Sequence, residues 1–318
     1  MKQLFSLFLF LSLSIYAQEY THIDDKVLKY SKYNSVEELA SKINVDFTKD
    51  EDKVRAIYVW LTANIKYDLA EYYNPKKNSI RFTYSSEAEK QKKLKALKRN
   101  VANNTIRSKK SVCEGYAQTF KTICDLVGIK ASVINGYARN NAEEIGRIPG
   151  FSDHAWNAIY LNNQWMIVDA TWGAGRVING KWEKHFSEYF YNISTKKVSL
   201  SHHPEEKKWQ QIFNSPSIDT YFNQPIYKTK FLTSKAELIS PTQGKLITKN
   251  NVIVLKIKNL PETASVLYTY NNGRQGIKPQ FIRDGSIKNF QIERPKNAAN
   301  LNVFINLKLA LVFKVIPQ

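Results

Sequence analysis

Cys113 is the residue of this sequence whose predicted position best suits covalent chemistry, because it opens a predicted buried helix. Ser111 and Glu114 have the spacing of a capping box, and Gly128 is placed to end the helix. The first turn of a helix presents unpaired N–H groups and the positive end of the helix dipole, which stabilise a thiolate and can donate to an oxyanion. The alternative for any single cysteine is a small buried hydrophobic residue.

Cys124 lies eleven residues further along the same predicted helix, about 16 Å from Cys113 along the axis. A disulfide needs Cα atoms within about 7 Å of each other, so we expect both thiols to be free. We interpret Cys124 as a core residue and Cys113 as the candidate nucleophile. Two cysteines cannot form a four-cysteine zinc site, and no His and Cys cluster has metal-ligand spacing, so neither a metal nor another cofactor is predicted.

A reactive cysteine also needs a base within reach and a group that orients the base. Alternating apolar residues predict two strands, His154–Leu161 and Gln164–Trp172. Asn162 and Asn163 separate the strands, and asparagine accepts the positive backbone angles of a tight hairpin turn. The sequence therefore predicts a β-hairpin that contains both a histidine and an aspartate.

The length of this turn decides which side chains meet. A two-residue turn places His154 opposite Thr171 and makes Asp169 a diagonal neighbour of His154 on the same face. A three-residue turn would place Asp169 beside Asn157 instead. We predict the two-residue turn, in which the carboxylate orients the imidazole and stabilises its protonated form. Taken singly, each residue would be interpreted as an ordinary polar strand residue.

The order of Cys113, His154 and Asp169, with the cysteine opening a helix and the other two on consecutive strands, resembles the papain-like core of the transglutaminase-like superfamily. The segments that carry the resemblance around these residues are Val112-Cys-Glu-Gly-Tyr-Ala117, His154-Ala-Trp-Asn157 and Val168-Asp-Ala-Thr-Trp172. Further segments are similar to the kyphoscoliosis peptidase-like group of that superfamily, in a secreted bacterial type, namely Tyr58–Asp68, His202–Glu205 and Trp209-Gln210.

The resemblance implies a role for each of the three residues. Cys113 is implied as the nucleophile, His154 as the general base and acid, and Asp169 as the orienting carboxylate. It also implies an α+β fold in which the nucleophile helix packs on an antiparallel sheet. The flanking residues that match motif positions are interpreted as wall and core packing: Trp156, Asn157, Thr171 and Trp172.

The function that follows is cysteine-dependent acyl transfer on peptide or glutamine-type amide bonds, with a protein or peptide as substrate. Water as the second acceptor gives a peptidase or deamidase, whereas a lysine amine gives a cross-link, and the sequence leaves both open. A different hypothesis is a catalytically silent binding or scaffold protein of the cell envelope. The presence of all three residues argues against that hypothesis, because a silent site has no chemical need of them.

The charge is strongly basic, with 47 Lys and Arg against 28 Asp and Glu and a net charge of +19. Residues 76–110 hold twelve basic and two acidic residues, and residues 230–318 hold fourteen and four. A hydrophobic content of 43% excludes a disordered polycation. The charge allows a polyanionic envelope component as a partner, while the scarcity of aromatic residues in 76–110 disfavours nucleic acid.

The N-terminus has the pattern of a secretory signal peptide over residues 1–17, with a cut near Ala17. We therefore expect a secreted or periplasmic protein without a transmembrane segment after the signal is removed. We predict a transglutaminase-like domain over 18–229, with a solvated basic insertion at 76–110, and a sandwich-like all-β domain over 230–318. The predicted helices are Asp52–Asp68 and Ser86–Val101, and the predicted C-terminal strands are Asn251–Lys258, Ala264–Tyr270, Ile287–Ile292 and Leu301–Ile316.

Overall fold

The computed structural model describes residues 20–75, 83–271 and 273–318. The predicted signal peptide at residues 1–17 lies outside these ranges. The chain forms two compact units, the first made of residues up to 134 together with 154–193, and the second of 135–153 together with 194–318. Among the described residues, no helix is both long enough and apolar enough to cross a membrane.

The first unit contains helices and short sheets, which confirms the predicted α+β class. Its helices are α1 (20–28), α2 (Val36–Asp46), α3 (Asp50–Asn64), α4 (Leu69–Tyr73), α5 (Glu87–Ser108), α6 (Cys113–Leu126) and α7 (Ala170–Ala174). Its strands are β1 (Lys66–Tyr67), β2 (Lys110–Ser111), β3 (Ala131–Ala138, which ends in the second unit), β4 (His154–Leu161), β5 (Gln164–Val168), β6 (Gly175–Ile178) and β7 (Lys181–Lys184). As predicted, the helix that Cys113 opens, α6, packs on an antiparallel sheet through β4.

Helix α3 corresponds to the helix predicted over Asp52–Asp68, but it ends at Asn64. The chain leaves the helix because β1 pairs in parallel with β2, with Lys66 opposite Lys110. Because the two paired segments are far apart in the sequence, no local sequence pattern predicts that the helix ends here. The apolar residues that predicted the helix are all buried: Val54, Ile57, Tyr58, Leu61 and Ile65.

Helix α5 is longer than predicted and is only partly solvated. Ser86 caps it by accepting a hydrogen bond from the Glu89 N–H, and no residue between 87 and 101 is buried. Ala102, Thr105 and Ile106, in the last two turns, are buried because α5 packs there against α6. The prediction of a solvated insertion over 76–110 is therefore wrong for its last part, while residues 76–82 lie outside the described ranges.

The hairpin of β4 and β5 has the predicted two-residue turn. Asn162 and Asn163 have φ angles of 48° and 61°, and the ladder runs from Leu161 opposite Gln164 to Asn157 opposite Val168. The predicted strand to Trp172 is wrong, because β5 ends at Val168 and residues 170–174 form α7. The ladder formed with β5 consequently ends at Asn157, three residues after His154.

The second unit begins with short elements and continues with two sheets. Its elements are α8 (Thr195–Val198), β8 (His202–Pro204), α9 (Lys207–Ile212), α10 (Ile218–Asn223), β9 (Ile226–Tyr227), α11 (Thr229–Leu232), β10 (Glu237–Ser240), β11 (Lys245–Thr248), β12 (Val252–Lys258), β13 (Val266–Tyr270), β14 (Gln280–Asp284), β15 (Ile287–Glu293), β16 (Ala299–Ile305) and β17 (Lys308–Pro317). One sheet has the order β10-β12-β15-β14, and the other has the order β11-β17-β16-β13. The predicted strand run Leu301–Ile316 is in fact a hairpin that turns at Asn306 and Leu307.

The division into compact units differs from the predicted limit at 229/230. Residues 194–229 group with the C-terminal strands because β9 pairs with β17, with Tyr227 opposite Leu311. The sheets also depart from a purely antiparallel sandwich, since β11 and β17 run parallel. Compact units are defined by contacts within the structure, whereas domains are defined by common ancestry. The domain limits 18–229 and 230–318 therefore stay predictions.

Candidate functional site

Cys113 is the first residue of α6, as predicted, and it is half-buried. The predicted capping box is wrong, because the N-cap is Val112, whose apolar side chain cannot accept a hydrogen bond. Ser111 instead belongs to β2, and its carbonyl accepts a hydrogen bond of 3.0 Å from the Asp68 N–H. The helix start is therefore positioned by backbone pairing rather than by a side-chain cap. Gly128, with φ of 83°, follows the helix end as predicted.

Gly115 allows the start of α6 to approach its neighbours closely. A Cβ atom at this position would lie 1.8 Å from Ser111 Oγ and 2.6 Å from Thr105 Oγ1. Both distances are far below van der Waals contact, so a larger residue must displace the first turn of α6 or its neighbours. The glycine thus helps to hold Cys113 in place.

His154 and Asp169 meet directly, although Asp169 lies just beyond the strand that was predicted to carry it. His154 Nε2 donates to Asp169 Oδ2 over 2.8 Å, and the Asp169 side chain is fully buried. The other carboxylate oxygen, Oδ1, caps α7 by accepting from the N–H groups of Thr171 at 2.9 Å and Trp172 at 3.0 Å. The carboxylate is held by the backbone of α7, and it in turn fixes the orientation of the imidazole.

The environment of His154 favours the charged imidazolium. Burial alone lowers the pKa of His154, but the Asp169 carboxylate and a side-chain hydrogen bond with Cys113 raise it from 6.5 to about 10. Because Nε2 faces Asp169, Nδ1 is the ring nitrogen left for the thiol of Cys113. The structure therefore brings all three predicted site residues together in the order Cys113, His154, Asp169.

Two tryptophans lie against the imidazole of His154. The Trp156 ring is stacked at a centroid distance of 5.9 Å, and the Trp172 ring is tilted at 5.4 Å. Phe190 supports Trp172 edge-on at 5.6 Å. These rings form the walls that the sequence predicted, and they restrict the movement of the imidazole.

Asn157 has a larger part in the site than the packing role predicted for it. Its side chain is almost completely buried, and its amide donates to the Ala117 carbonyl at 3.0 Å and to the Ser132 carbonyl at 3.4 Å. Ala117 lies one turn after Cys113 in α6, while Asn157 lies on the same strand as His154. The amide thus links the helix of the thiol to the strand of the imidazole, a connection that sequence reasoning missed.

Comparison with known proteins found similarities over much of the chain. The sequence model of the transglutaminase-like superfamily matches residues 37–170. Those residues, less than half of the chain, are thus similar to a transglutaminase-like superfamily domain. The chain is also distantly homologous to kyphoscoliosis peptidase of Homo sapiens, with 27% identity over 83% of this chain and 37% of that protein. It therefore spans little more than a third of the length of this relative.

Two further similarities were found. The "Lim and transglutaminase domain protein ltd-1" of Caenorhabditis elegans is 22% identical over 77% of this chain and 33% of that protein. A solved structure described as that of a TGase is 18% identical, covers 57% of this chain and 41% of that chain, and has a TM-score of 0.28.

Cys124 lies in the interior of the first unit, as predicted. Its side chain is fully buried, and burial raises the pKa of its thiol far above the usual value. Both cysteines are free, which confirms the prediction that they do not form a disulfide. Cys124 is therefore a packing residue of α6, and Cys113 is the thiol that a reagent in solution can reach.

Proposed function

We propose that this protein is a cysteine-dependent acyl-transfer enzyme that acts on peptide or glutamine-type amide bonds. Cys113 is the nucleophile, His154 the general base and acid, and Asp169 the orienting carboxylate. The observation that carries the proposal is the buried imidazole that bonds Asp169 Oδ2 over 2.8 Å on one side and the Cys113 thiol on the other. The transglutaminase-like domain supports it, because members of this superfamily are often cysteine peptidases or acyltransferases.

The first step forms a bond between the Cys113 sulfur and the carbonyl carbon of the substrate. The carbon–nitrogen bond then breaks, and the amine leaves with the proton that His154 carries. The first-turn N–H groups of α6 are suited to receive the negative charge of the oxygen during this step. Water or a second amine attacks the resulting thioester while His154 accepts its proton, and the free thiol is restored.

The proposal is tested by the pH dependence of thiol alkylation. The wild-type protein, Cys113→Ala and Cys124→Ala are incubated with iodoacetamide between pH 5 and pH 9, and the modified cysteine is identified by mass spectrometry. We expect labelling well below the usual thiol pKa, near 8.5, and we expect Cys113→Ala alone to abolish it. Absence of labelling of either cysteine below about pH 8 would support the silent scaffold instead.

A second assay separates the two possible acceptors. Ammonia release from a glutamine peptide is measured with and without an added primary amine, and the peptide is analysed by mass spectrometry. Hydrolysis gives a glutamate or a cleaved peptide in either condition, whereas cross-linking consumes the amine. Cys113→Ala is the control, because any product that it forms does not come from the proposed site.

We also propose a secreted or periplasmic location, supported by the signal-like N-terminus, and a polyanionic envelope component as a partner. The exposed residues Lys92, Lys95 and Lys98 on α5 support the second proposal. Binding to heparin, used as the probe, is measured at increasing salt with the wild type and with these lysines replaced by glutamine. Retention that does not depend on salt, or that survives the replacement, contradicts it.

A further inference from the structure

Three neighbouring tyrosines in the first unit form an aromatic cluster, which we call the tyrosine platform: the half-buried Tyr67 and the exposed Tyr72 and Tyr73. The ring centroids of Tyr67 and Tyr72 are 5.8 Å apart, and those of Tyr72 and Tyr73 are 5.2 Å apart with nearly perpendicular planes. Tyr72 and Tyr73 are 54% and 62% exposed. Contiguous exposed aromatic surface is one of the features that mark binding sites on proteins.

The platform is attached to the segment that leads to the nucleophile. Tyr67 lies opposite Ser111 in the parallel pair of β1 and β2. Ser111 precedes Cys113 by two residues. Paired strands are about 4.8 Å apart. Both strands run in the same direction, so α4, with Tyr72 and Tyr73, starts beside the start of α6.

Asp68 fixes this attachment with three further interactions. Its N–H donates to the Ser111 carbonyl at 3.0 Å, and its carboxylate lies 3.1 Å from Lys110 Nζ. The same carboxylate caps α4 by accepting from the Glu71 N–H at 3.2 Å. The platform therefore keeps a defined position relative to Cys113 and does not depend on a loose loop.

The charges that the structure describes around the platform are balanced, which favours an uncharged ligand group. Within residues 66–73 and 110, Asp68 and Lys110 neutralise each other, and the exposed side chains of Lys66 and Glu71 have opposite charges. Exposed tyrosine rings with a balanced charge contact apolar rings well, and extended peptides present such rings as proline or aromatic side chains. A peptide is also the substrate under the proposed function, so its side chains reach the surface beside Cys113.

We propose that the tyrosine platform is a substrate subsite, which binds a proline or aromatic residue that flanks the attacked amide in an extended peptide. This inference rests on the proposed function, because it assigns the substrate of the same site. Tyr73, the most exposed ring, provides the largest free contact area. The platform then favours substrates that carry an apolar ring beside the attacked amide. The reaction at Cys113 is the same for all substrates.

The test measures binding in a protein that cannot turn over. Cys113→Ala is titrated with acetylated, amidated glutamine hexapeptides that carry proline, phenylalanine or serine on either side of the glutamine, and the dissociation constants are measured by NMR. We expect the best proline or phenylalanine peptide to bind at least about tenfold more tightly than its serine counterpart, about 1.4 kcal/mol. Adding Tyr73→Ala should remove this difference.

Tyr84→Ala in the same background is the matched control, because Tyr84 is 51% exposed but lies outside the platform. It should keep the preference for a ring. Equal binding of ring and serine peptides, no binding at millimolar peptide, a preference that survives Tyr73→Ala, or its loss in Tyr84→Ala would each overturn the inference. Circular dichroism verifies that every variant is folded. Since no turnover is needed, a failed alkylation test of Cys113 and a failed binding test remain distinguishable.

Discussion

The two ends of helix α6 place the same side chain in opposite environments. Cys113 opens the helix, is half-buried and shares a hydrogen bond with an imidazole, whereas Cys124 lies in the last turn and is fully buried. Burial raises the pKa of the Cys124 thiol, while the positive end of the helix dipole and a cationic neighbour face Cys113. The comparison predicts that the reactivity of a cysteine here depends on its place along one helix.

The largest effect is expected when the thiol at the exposed end is removed. Cys113→Ala should lower kcat/KM by at least about a thousandfold, because no other group can form the thioester. Cys124→Ala should leave kcat/KM within a factor of about three. Steady-state kinetics on one glutamine peptide measures both variants, and equal losses in the two would remove the distinction between the ends of α6.

The next largest effect concerns the group that orients the imidazole. Asp169→Asn should lower kcat/KM by about a hundredfold to a thousandfold, because the neutral amide no longer stabilises the imidazolium of His154. Asparagine also caps helices well, so α7 should persist. The pKa of His154, followed by NMR, should fall toward 6.5. An unchanged pKa of His154 would show that Asp169 does not control the charge of the imidazole.

The same pair predicts a pH dependence of stability. The pKa of His154 is raised to about 10 in the folded protein, so protonation favours folding. This contribution is fully present below pH 6.5 and is lost as the pH rises toward 10. Urea unfolding of the wild type and Asp169→Asn at several pH values measures the difference in unfolding free energy. A difference that does not shrink with rising pH contradicts the expectation.

A smaller effect is expected from the link between α6 and β4. Asn157→Leu keeps the branching of the side chain at Cγ but removes the donor to the Ala117 carbonyl, and should lower kcat by about tenfold to a hundredfold. KM should change little, because the amide does not line the surface. Asn157→Gln keeps a donor and should recover part of the loss. If both variants lose only stability and retain kcat, the amide has a purely structural role.

The smallest effect on activity is expected inside the helix. Cys124→Ala leaves a small cavity in a fully buried position and should lower the unfolding free energy by about 1–2 kcal/mol. Cys124→Ser should cost more, because it buries a hydroxyl. Thermal unfolding measures both, with alkylation of Cys113 as the control. Faster alkylation in either variant would mean that the two ends of α6 are coupled.

The sequence predicts the parts of the site that depend on contacts between nearby residues, and it fails where the contacts join distant segments. The turn at Asn162 and Asn163 is local, so the sequence predicted its length and the neighbourhood of His154 and Asp169 correctly. The capping box failed because the Ser111 backbone pairs with a strand more than forty residues away. No pattern within one helix contains that information.

Two other errors have similar causes. The alternation of apolar residues continues past Asp169 and therefore predicts a strand to Trp172. In the structure, the carboxylate of Asp169 caps the start of α7 instead. Asn157 was assigned to packing because both of its acceptor carbonyls belong to other elements. In the second unit, the apolar run to Ile316 concealed the turn at Leu307, a residue type that rarely adopts a φ of 63°.

The close contacts of Gly115 limit the order in which this protein can change during evolution. An alanine at 115 meets the hydroxyl groups of Ser111 and Thr105, so it is harmful while both are present. Ser111→Gly and Thr105→Ala must create the room first, although Thr105→Ala also removes the hydrogen bond from Thr105 Oγ1 to the Val101 carbonyl. Lineages that carry a larger residue at this position should therefore carry smaller ones at the other two.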